Sequence, residues 1–121
     1  MYKEYYIRKS FKFDASHAAK INGATEAPHT HTFYVSITYK GKKNQDGIIV
    51  DFKDLNEFIK RDILSVLDGR DLNKIFSNPT TENIAEFIWS KAYDFNKDIQ
   101  LTEVRVCETQ DSCIYIKENN K

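Results

Sequence analysis

The chain has only three histidines, and their spacing indicates that they share one task. His29 and His31 are two residues apart, and residues two apart on a β-strand project from the same side. Two such imidazoles can hold one metal ion, and His17 in the preceding segment can supply a third ligand. Three neutral imidazoles suit Zn²⁺, and an open fourth coordination position is typical of a catalytic site. The pattern therefore predicts a zinc site at these three residues.

The histidines lie on two segments that have the two-residue period of a β-strand. The inward positions are Phe11, Phe13, Ala15 and His17 in the first segment and His29, His31, Phe33, Val35, Ile37 and Tyr39 in the second. Each alternation predicts a strand with one apolar face, and an antiparallel return would bring the first histidine close to the other two. The alternative is that these are ordinary hydrogen-bonded histidines. That interpretation would be favoured for the second pair alone, but the convergence of all three favours a metal site.

The rest of the chain predicts two helices and two further strands. The first helix extends from Asp51 to about Asp68–Gly69, and its apolar stripe is Leu55, Phe58, Ile59, Ile63, Val66 and Leu67. The second helix has Thr80 as its N-cap, and its apolar face is Ile84, Ala85, Ile88, Trp89 and Ala92. The segments Leu101–Thr109 and Ser112–Lys117 are separated by only two residues, which predicts a tight hairpin. The order ββααββ indicates an α+β fold with both helices on one face of the sheet.

Composition disfavours several classes of function. The 18 Lys and Arg residues balance the 18 Asp and Glu residues, so no net field attracts nucleic acid or an anionic membrane. The N-terminal segment lacks the apolar core of a signal peptide, and no stretch approaches the roughly 20 apolar residues of a membrane span, so we expect a cytoplasmic protein. Cys107 and Cys113 lack a CxxC spacing, and we expect reduced thiols on strands. The length predicts a single domain over residues 1–121.

Six motifs, taken in order, resemble those of one enzyme family. They are FKFDASH at 11–17, EAPHTHTFYVSI at 26–37, DGIIVDF at 46–52, LDGRDLN at 67–73, NPTTENIAEFIW at 78–89 and VRVCET at 104–109. With them the chain resembles the 6-pyruvoyl-tetrahydropterin synthase and 6-carboxy-tetrahydropterin synthase family. The resemblance implies the tunnelling fold (T-fold), with a four-stranded antiparallel sheet and two helices in each subunit. It also implies a homo-oligomer, usually a hexamer of two stacked trimers, with a pterin pocket between subunits.

The resemblance assigns roles to the candidate site residues. His17, His29 and His31 match the zinc ligands of the family, and Glu108 matches the carboxylate that anchors the pterin. A carboxylate accepts two hydrogen bonds, and the 2-amino group and adjacent ring N–H of a pterin donate two in parallel. Thr109 follows in the same motif and is included as a substrate-binding residue. From the residues alone, Glu108 is either a surface charge or an inward-facing group, and its alternation with apolar neighbours favours the latter.

Three positions depart from the family pattern. The typical synthases have a cysteine where this chain has Thr25, a glycine where it has Thr30, and a histidine where Gly69 follows Asp68. Asp68 therefore either relays protons or stabilises the end of the helix. Glu26, three residues before His29, gives Glu-x-x-His-x-His, which resembles a variant in which glutamate replaces the cysteine. Without the resemblance, this glutamate would be interpreted as a solvated charge in a turn-rich loop.

The variant with glutamate cleaves the side chain of 7,8-dihydroneopterin triphosphate to give 6-hydroxymethyl-7,8-dihydropterin. The resemblance thus predicts a zinc-dependent lyase with Glu26 and Asp68 as catalytic candidates. Two alternatives remain open. One is a 6-carboxy- or 6-pyruvoyl-tetrahydropterin synthase with rearranged acid and base groups, for which Glu26 and Asp71 are candidates. The other is a non-catalytic pterin-binding homologue.

Overall fold

Residues 2–118 are described by the computed structural model of the protein, so the predicted domain ends at residues 1 and 121 lie outside the described part. Four long antiparallel strands dominate: β1 (Tyr5–His17), β4 (His29–Gly41), β6 (Gln100–Thr109) and β7 (Ser112–Lys117). All four confirm predicted strands, although β1 begins before its apolar alternation starts at Phe11. Two short strands, β2 (Lys20–Ile21) and β3 (Ala24–Thr25), pair with each other between β1 and β4.

The sheet has one strand more than the sequence predicts. β5 (Arg70–Asp71) pairs in parallel with Ala15 and Ser16 of β1, which gives the order β5-β1-β4-β6-β7. A strand of two residues has no alternation that a sequence pattern can reveal. It forms because the chain returns to β1 at Gly69, which adopts a φ of 72° and donates its N–H to the Asp14 carbonyl over 2.7 Å.

The first helical segment corrects the prediction of one continuous α-helix from Asp51. It consists of α1 (Phe52–Phe58), a π-helical segment (Ile59–Leu64) and α2 (Ser65–Leu67). Its most deeply buried side chains lie four residues apart, at Leu55, Ile59, Ile63 and Leu67. In an α-helix of 3.6 residues per turn, side chains spaced by four residues shift progressively around the helix axis. The wider turns of the π-helical segment offset that rotation and keep these side chains on the sheet.

The second predicted helix is confirmed as α3 (Thr81–Tyr93). The Thr80 hydroxyl caps it by accepting a hydrogen bond from the Asn83 N–H at 3.1 Å. Both helical segments pack on one face of the sheet, and the core between them includes Phe13, Phe33, Ile37, Ile88 and Val104. The opposite face, which we call the open face, carries the alternate residues of the long strands. Among residues 2–118, no helix is both long and apolar enough to cross a membrane.

Cys107 and Cys113 are joined by a disulfide, so the prediction of two reduced thiols is wrong. The β6–β7 register places the two residues directly opposite each other, and cysteines on paired strands are then close enough to be bridged. The register shifts by one residue immediately after this pair. Glu108 is therefore the extra residue of a β-bulge, a feature that often re-aims a side chain beside a functional site.

Candidate metal centre and active site

The three histidines meet at one end of the β1–β4 pair. His17 lies directly opposite His29 in the register, and His31 follows two residues along the same face. The Nε2 atoms of His17 and His31 are 2.8 Å apart, and the three ring centroids lie between 4.5 and 4.9 Å from one another. His17 is buried, whereas the other two rings are partly exposed. One end of the sheet therefore presents three imidazoles to a common point, as their spacing predicts.

Backbone carbonyls orient two of the three rings. Nδ1 of His17 donates to the Pro79 carbonyl at 2.7 Å, and Nδ1 of His29 donates to the Ala27 carbonyl at 2.9 Å. A carbonyl oxygen only accepts, so each Nδ1 carries the proton and each Nε2 directs a lone pair toward the common point. Carbonyls bonded to the outer nitrogen are the usual partners of metal-binding histidines. The donor set and its orientation therefore fit Zn²⁺ or another imidazole-favouring ion.

Two carboxylates border the histidines, and both were candidates from the sequence. Glu108 Oε1 lies 3.2 Å from Nε2 of His31 and 3.4 Å from Nε2 of His17. Glu26 Oε1 lies 3.9 Å from Nε2 of His17 and of His29. The same oxygen of Glu26 accepts the Ala19 N–H at 3.0 Å, which holds the carboxylate in place. Glu26 is therefore part of the site and not a freely solvated loop charge.

Glu108 can also act as a metal ligand, a role that its sequence motif does not predict. Together with the three histidines it forms a group whose potential ligand atoms all lie within 4.8 Å of one another. A carboxylate in this position can serve as a fourth metal ligand, or it can bind the donors of a substrate at the edge of the metal site. The β-bulge after Cys107 provides the physical reason for its position.

Two asparagines outside the predicted site hold the segment that follows His17. Asn73 accepts the Ala18 N–H at 2.7 Å and donates to the Ala18 carbonyl at 2.9 Å. Asn78 does the same for Lys20, at 2.8 and 3.0 Å. These paired bonds fix the backbone that presents the Ala19 N–H to Glu26. The one sequence signal was the Asn78-Pro79 pair before the N-cap Thr80, because a side chain that bonds a distant backbone segment leaves no periodicity to detect.

Two other predicted site residues do not reach the histidines. Asp68 Oδ1 accepts the Asp14 N–H at 3.1 Å, a contact that fastens the end of α2 to β1. Within residues 2–118, no hydrogen bond or ion pair joins Asp68 to the three histidines. The Thr109 hydroxyl accepts the Asp111 N–H at 3.3 Å and so stabilises the hairpin turn. Catalysis by Asp68 and substrate binding by Thr109 stay predictions, and the observed contacts of both residues are structural.

A cavity of about 240 Å³ lies beside the histidines and is lined by His17, Ala19, Glu26, Thr81 and Glu108 among others. This volume is below the roughly 300–1,000 Å³ of a typical small-molecule site. A larger cavity of about 1280 Å³ lies at the far end of β1 and β4 and contains none of the predicted site residues. We assign the chemistry to the smaller cavity because the imidazoles and carboxylates converge there.

We expect the metal-free protein to lose stability as the pH falls below about 6.5. Burial lowers the pKa of His31 below its ordinary value of 6.5; Glu108 and Glu26 oppose this shift, whereas His17 and His29 add to it. The folded protein then binds a proton at His31 less readily than the unfolded chain, so the stabilisation is complete above that pH and is lost below it. Melting midpoints of chelator-treated protein between about pH 8 and about pH 5 check this trend. A midpoint that rises on acidification, or a His31→Gln variant with an unchanged pH dependence, would contradict the prediction.

Two known proteins that are similar to this chain carry the names of pterin enzymes. The chain is 43% identical over 76 residues to the dihydroneopterin monophosphate aldolase of Pyrococcus furiosus, a match that covers 63% of this chain and 64% of that protein. That match spans less than two thirds of the Pyrococcus protein. The chain is 30% identical over 117 residues to a putative 6-carboxy-5,6,7,8-tetrahydropterin synthase of Archaeoglobus fulgidus, covering 97% of this chain and 99% of that one.

A solved structure shares the fold. The 6-pyruvoyl tetrahydropterin synthase of Caenorhabditis elegans superposes with a TM-score of 0.82 at 19% sequence identity and covers 97% of both chains. The family model for 6-pyruvoyl tetrahydropterin synthase matches residues 6–119, nearly the whole chain. The α+β T-fold inferred from the motifs is thereby confirmed, and the chain belongs to the 6-pyruvoyl tetrahydropterin synthase family.

Proposed function

We propose that this family member is a zinc-dependent lyase that cleaves the side chain of a 7,8-dihydroneopterin phosphate to give 6-hydroxymethyl-7,8-dihydropterin. The observation that carries the proposal is the position of Glu26, with Oε1 3.9 Å from Nε2 of both His17 and His29. All three histidines of the chain point to one metal site, and position 25 is threonine instead of cysteine. Because we assign Glu108 to the pterin, Glu26 is the remaining carboxylate beside the histidines and the candidate base.

The reaction is a retro-aldol cleavage. Glu26 takes the proton of the C2′ hydroxyl, the C1′–C2′ bond breaks, and the electron pair of that bond enters the conjugated imine of the pterin. Water protonates N5, and Glu26 returns its proton to water. A proton then moves from N5 to C1′, which becomes the hydroxymethyl carbon, and the other fragment leaves as a phosphorylated glycolaldehyde. A zinc ion held by His17, His29 and His31 would supply Lewis acidity that lowers the pKa of the substrate hydroxyls. No oxidant or reductant is needed.

Glu26 is well placed for proton transfer. The Ala19 N–H bonds Oε1 at 3.0 Å, and the Glu26 N–H in turn donates to the Ala19 carbonyl at 3.0 Å. This double contact fixes both the backbone and the carboxylate at the edge of the cavity. The side chain is about 30% exposed, so a substrate hydroxyl can approach it. A fixed carboxylate with an accessible oxygen is what general base catalysis requires.

Product identification tests the proposed reaction. Zinc-loaded protein is incubated in parallel with dihydroneopterin monophosphate, the substrate in the name of the Pyrococcus relative, and with the triphosphate that the sequence resemblance implies. We expect 6-hydroxymethyl-7,8-dihydropterin from at least one of them, identified by mass. A 6-carboxy or 6-pyruvoyl product would instead support the synthase alternative, and tight binding without turnover would support a non-catalytic pterin-binding protein.

One contact weakens the synthase alternative. Asp71, the second acid or base candidate of that alternative, accepts the Asn73 N–H at 3.1 Å and caps a short 3₁₀ helix (Leu72–Lys74). Within residues 2–118, no hydrogen bond or ion pair joins Asp71 to the histidines, whereas Glu26 lies 3.9 Å from two of them. The full-length match to the Archaeoglobus protein is the observation that favours this alternative.

Replacing Glu108 distinguishes its two possible roles. If Glu108 is the pterin anchor, Glu108→Gln removes one hydrogen-bond acceptor and the negative charge. We then expect KM to rise at least about tenfold with zinc content unchanged. If Glu108 is instead a fourth metal ligand, the same substitution would weaken zinc binding. Measurement of KM together with metal content by mass spectrometry separates the outcomes. Zinc loss with an unchanged KM would contradict the anchor role.

We also propose a cytoplasmic homo-oligomer, of the hexameric kind that the resemblance implies. Within residues 2–118, β7 has no partner on its outer side. β5 pairs only with Ala15 and Ser16, so the part of β1 before Asp14 has a strand partner on its β4 side alone. Unpaired strand edges are sites at which subunits join. The small cavity beside the histidines would be enlarged by a neighbouring subunit. Light scattering after size-exclusion chromatography tests the assembly, and a monomer would contradict it.

A further inference from the structure

A second polar site lies on the open face, away from the histidines. Three strands contribute one cross-strand row there, because Ser10 pairs with Ser36 and Ser36 pairs with Arg105. A cavity of about 340 Å³ adjoins this row, and its lining includes Ser10, Ser36, Arg105 and Gln110. The histidines project from the other face, so this cavity is separate from the metal centre.

Two buried polar atoms at this cavity have no hydrogen-bond partner within the described residues. They are the Ser36 hydroxyl oxygen and Nε of Arg105. Ser36 is only 5% exposed, although it lies on the face that no helix covers. A buried polar group without a partner costs about 1–3 kcal/mol, so a ligand that supplies a partner is favoured. The hydroxyl and the guanidinium can both donate hydrogen bonds, which fits an acceptor with negative charge.

The charge of Arg105 is not neutralised by a carboxylate within residues 2–118. Its guanidinium lies over the Tyr115 ring at 5.6 Å, and Nη2 is 3.7 Å from Cys113 Sγ. The neighbouring row differs, because Arg8 and Lys117 both lie within 4 Å of Glu103. The ring and the sulfur therefore orient the guanidinium without neutralising its charge.

The open face as a whole favours an anion. Its alternation carries more basic than acidic residues, although the whole chain is neutral. The basic residues are Arg8, Lys12, Lys40, Arg105 and Lys117, and the acidic residues are Asp14 and Glu103 together with Glu4, which precedes β1 and pairs with Lys40 at 3.0 Å. Such an asymmetry attracts anions to that side of the sheet.

We infer that Ser36 and Arg105 form a binding site for a phosphate-type oxyanion. The guanidinium provides charge and a planar set of donors that match phosphate oxygens, and the serine hydroxyl provides a further donor. The cavity has room for a single phosphate or for a short phosphate chain. This inference is independent of the proposed lyase reaction, because none of its residues belongs to the metal centre.

Calorimetric titration of the full-length, zinc-loaded protein tests the inference. The probes are inorganic phosphate and tripolyphosphate at constant ionic strength. We expect Arg105→Gln to weaken binding of at least one probe tenfold or more, with a smaller weakening in Arg105→Lys and Ser36→Ala. Arg8→Gln is the matched control, since it removes the same charge from the same face but from a paired arginine. We expect less than a twofold change for that control.

The variants also distinguish the source of the anion and guard against misfolding. Weakening for both probes identifies a site for free phosphate, and weakening for tripolyphosphate alone identifies a site for phosphate chains. Equal binding by wild type and Arg105→Gln would overturn the inference, and so would an equal loss in Arg8→Gln, which indicates a diffuse field. If Arg105→Gln fails to fold, as judged by its melting midpoint, unchanged binding in Ser36→Ala overturns the inference.

Discussion

Replacing Glu26 with glutamine is expected to lower kcat by roughly 100-fold or more, in the range that a general base contributes. The amide has nearly the shape of the carboxylate, and its oxygen can still accept the Ala19 N–H that holds Glu26 at 3.0 Å. The loop geometry should therefore survive. The amide cannot take a proton from a substrate hydroxyl, so the loss should appear in kcat and not in metal content.

The measurement pairs turnover of dihydroneopterin phosphate with zinc content on the same preparations. Glu86→Gln is the matched control, because Glu86 is exposed on α3 and none of its contacts involves the histidines. We expect that control to keep wild-type turnover. Wild-type kcat in Glu26→Gln would remove Glu26 as the base. Loss of zinc in that variant would show that Glu26 supports the metal centre instead.

The fold could be predicted where a physical period extends over many residues. The alternation of β1 and β4 placed His17, His29 and His31 on one face, and an antiparallel return is enough to bring them together. The second helix could be predicted equally well, because Thr80 caps it and apolar residues recur along one of its faces. These elements depend on local pattern and on burial, both of which the sequence records directly.

The features that the sequence did not reveal all depend on contacts between distant segments. β5 has two residues, and it exists because Gly69 returns the chain to Asp14. The Cys107–Cys113 bond depends on the exact hairpin register, which fixes two opposite positions without any CxxC spacing. Asn78 holds Lys20 across 58 residues of sequence. No local periodicity marks any of these contacts.

The site residues also differ in whether their position depends on local sequence or on contacts between distant segments. Glu26 lies beside the histidines because three residues of a short loop cannot carry it far from His29. Asp68 was assigned by its place in a motif, and its observed contact is with the Asp14 backbone. A motif position identifies a residue that a family uses, but the partner that the residue meets is set by tertiary structure. Its role in this chain therefore needs a measurement.

Removing one ligand of the metal centre should have the other large effect. In His31→Ala we expect zinc affinity to fall about 100-fold, because the roughly 10–16 kcal/mol of a four-ligand zinc site amounts to about 3 kcal/mol per ligand. Turnover should fall to background at limiting zinc. The side chain is only partly buried, with 23% of its surface exposed, so the fold should tolerate its loss better than that of the buried His17.

Melting in the presence and absence of zinc gives a readout that does not depend on turnover. Zinc at about 100 times its Kd stabilises the folded protein by about 2.7 kcal/mol, which corresponds to an increase of about 10 °C in Tm for a chain of this size. We expect wild type to show this increase and His31→Ala to lose it at the same zinc concentration. Asp68→Asn is the control variant for the zinc response of Tm, because Asp68 contacts the Asp14 backbone and not the histidine group. An equal zinc response in wild type and His31→Ala would mean that the three histidines do not hold the ion together. A normal zinc response in Asp68→Asn with reduced turnover would instead assign Asp68 to the chemistry, because its effect would then be independent of metal binding.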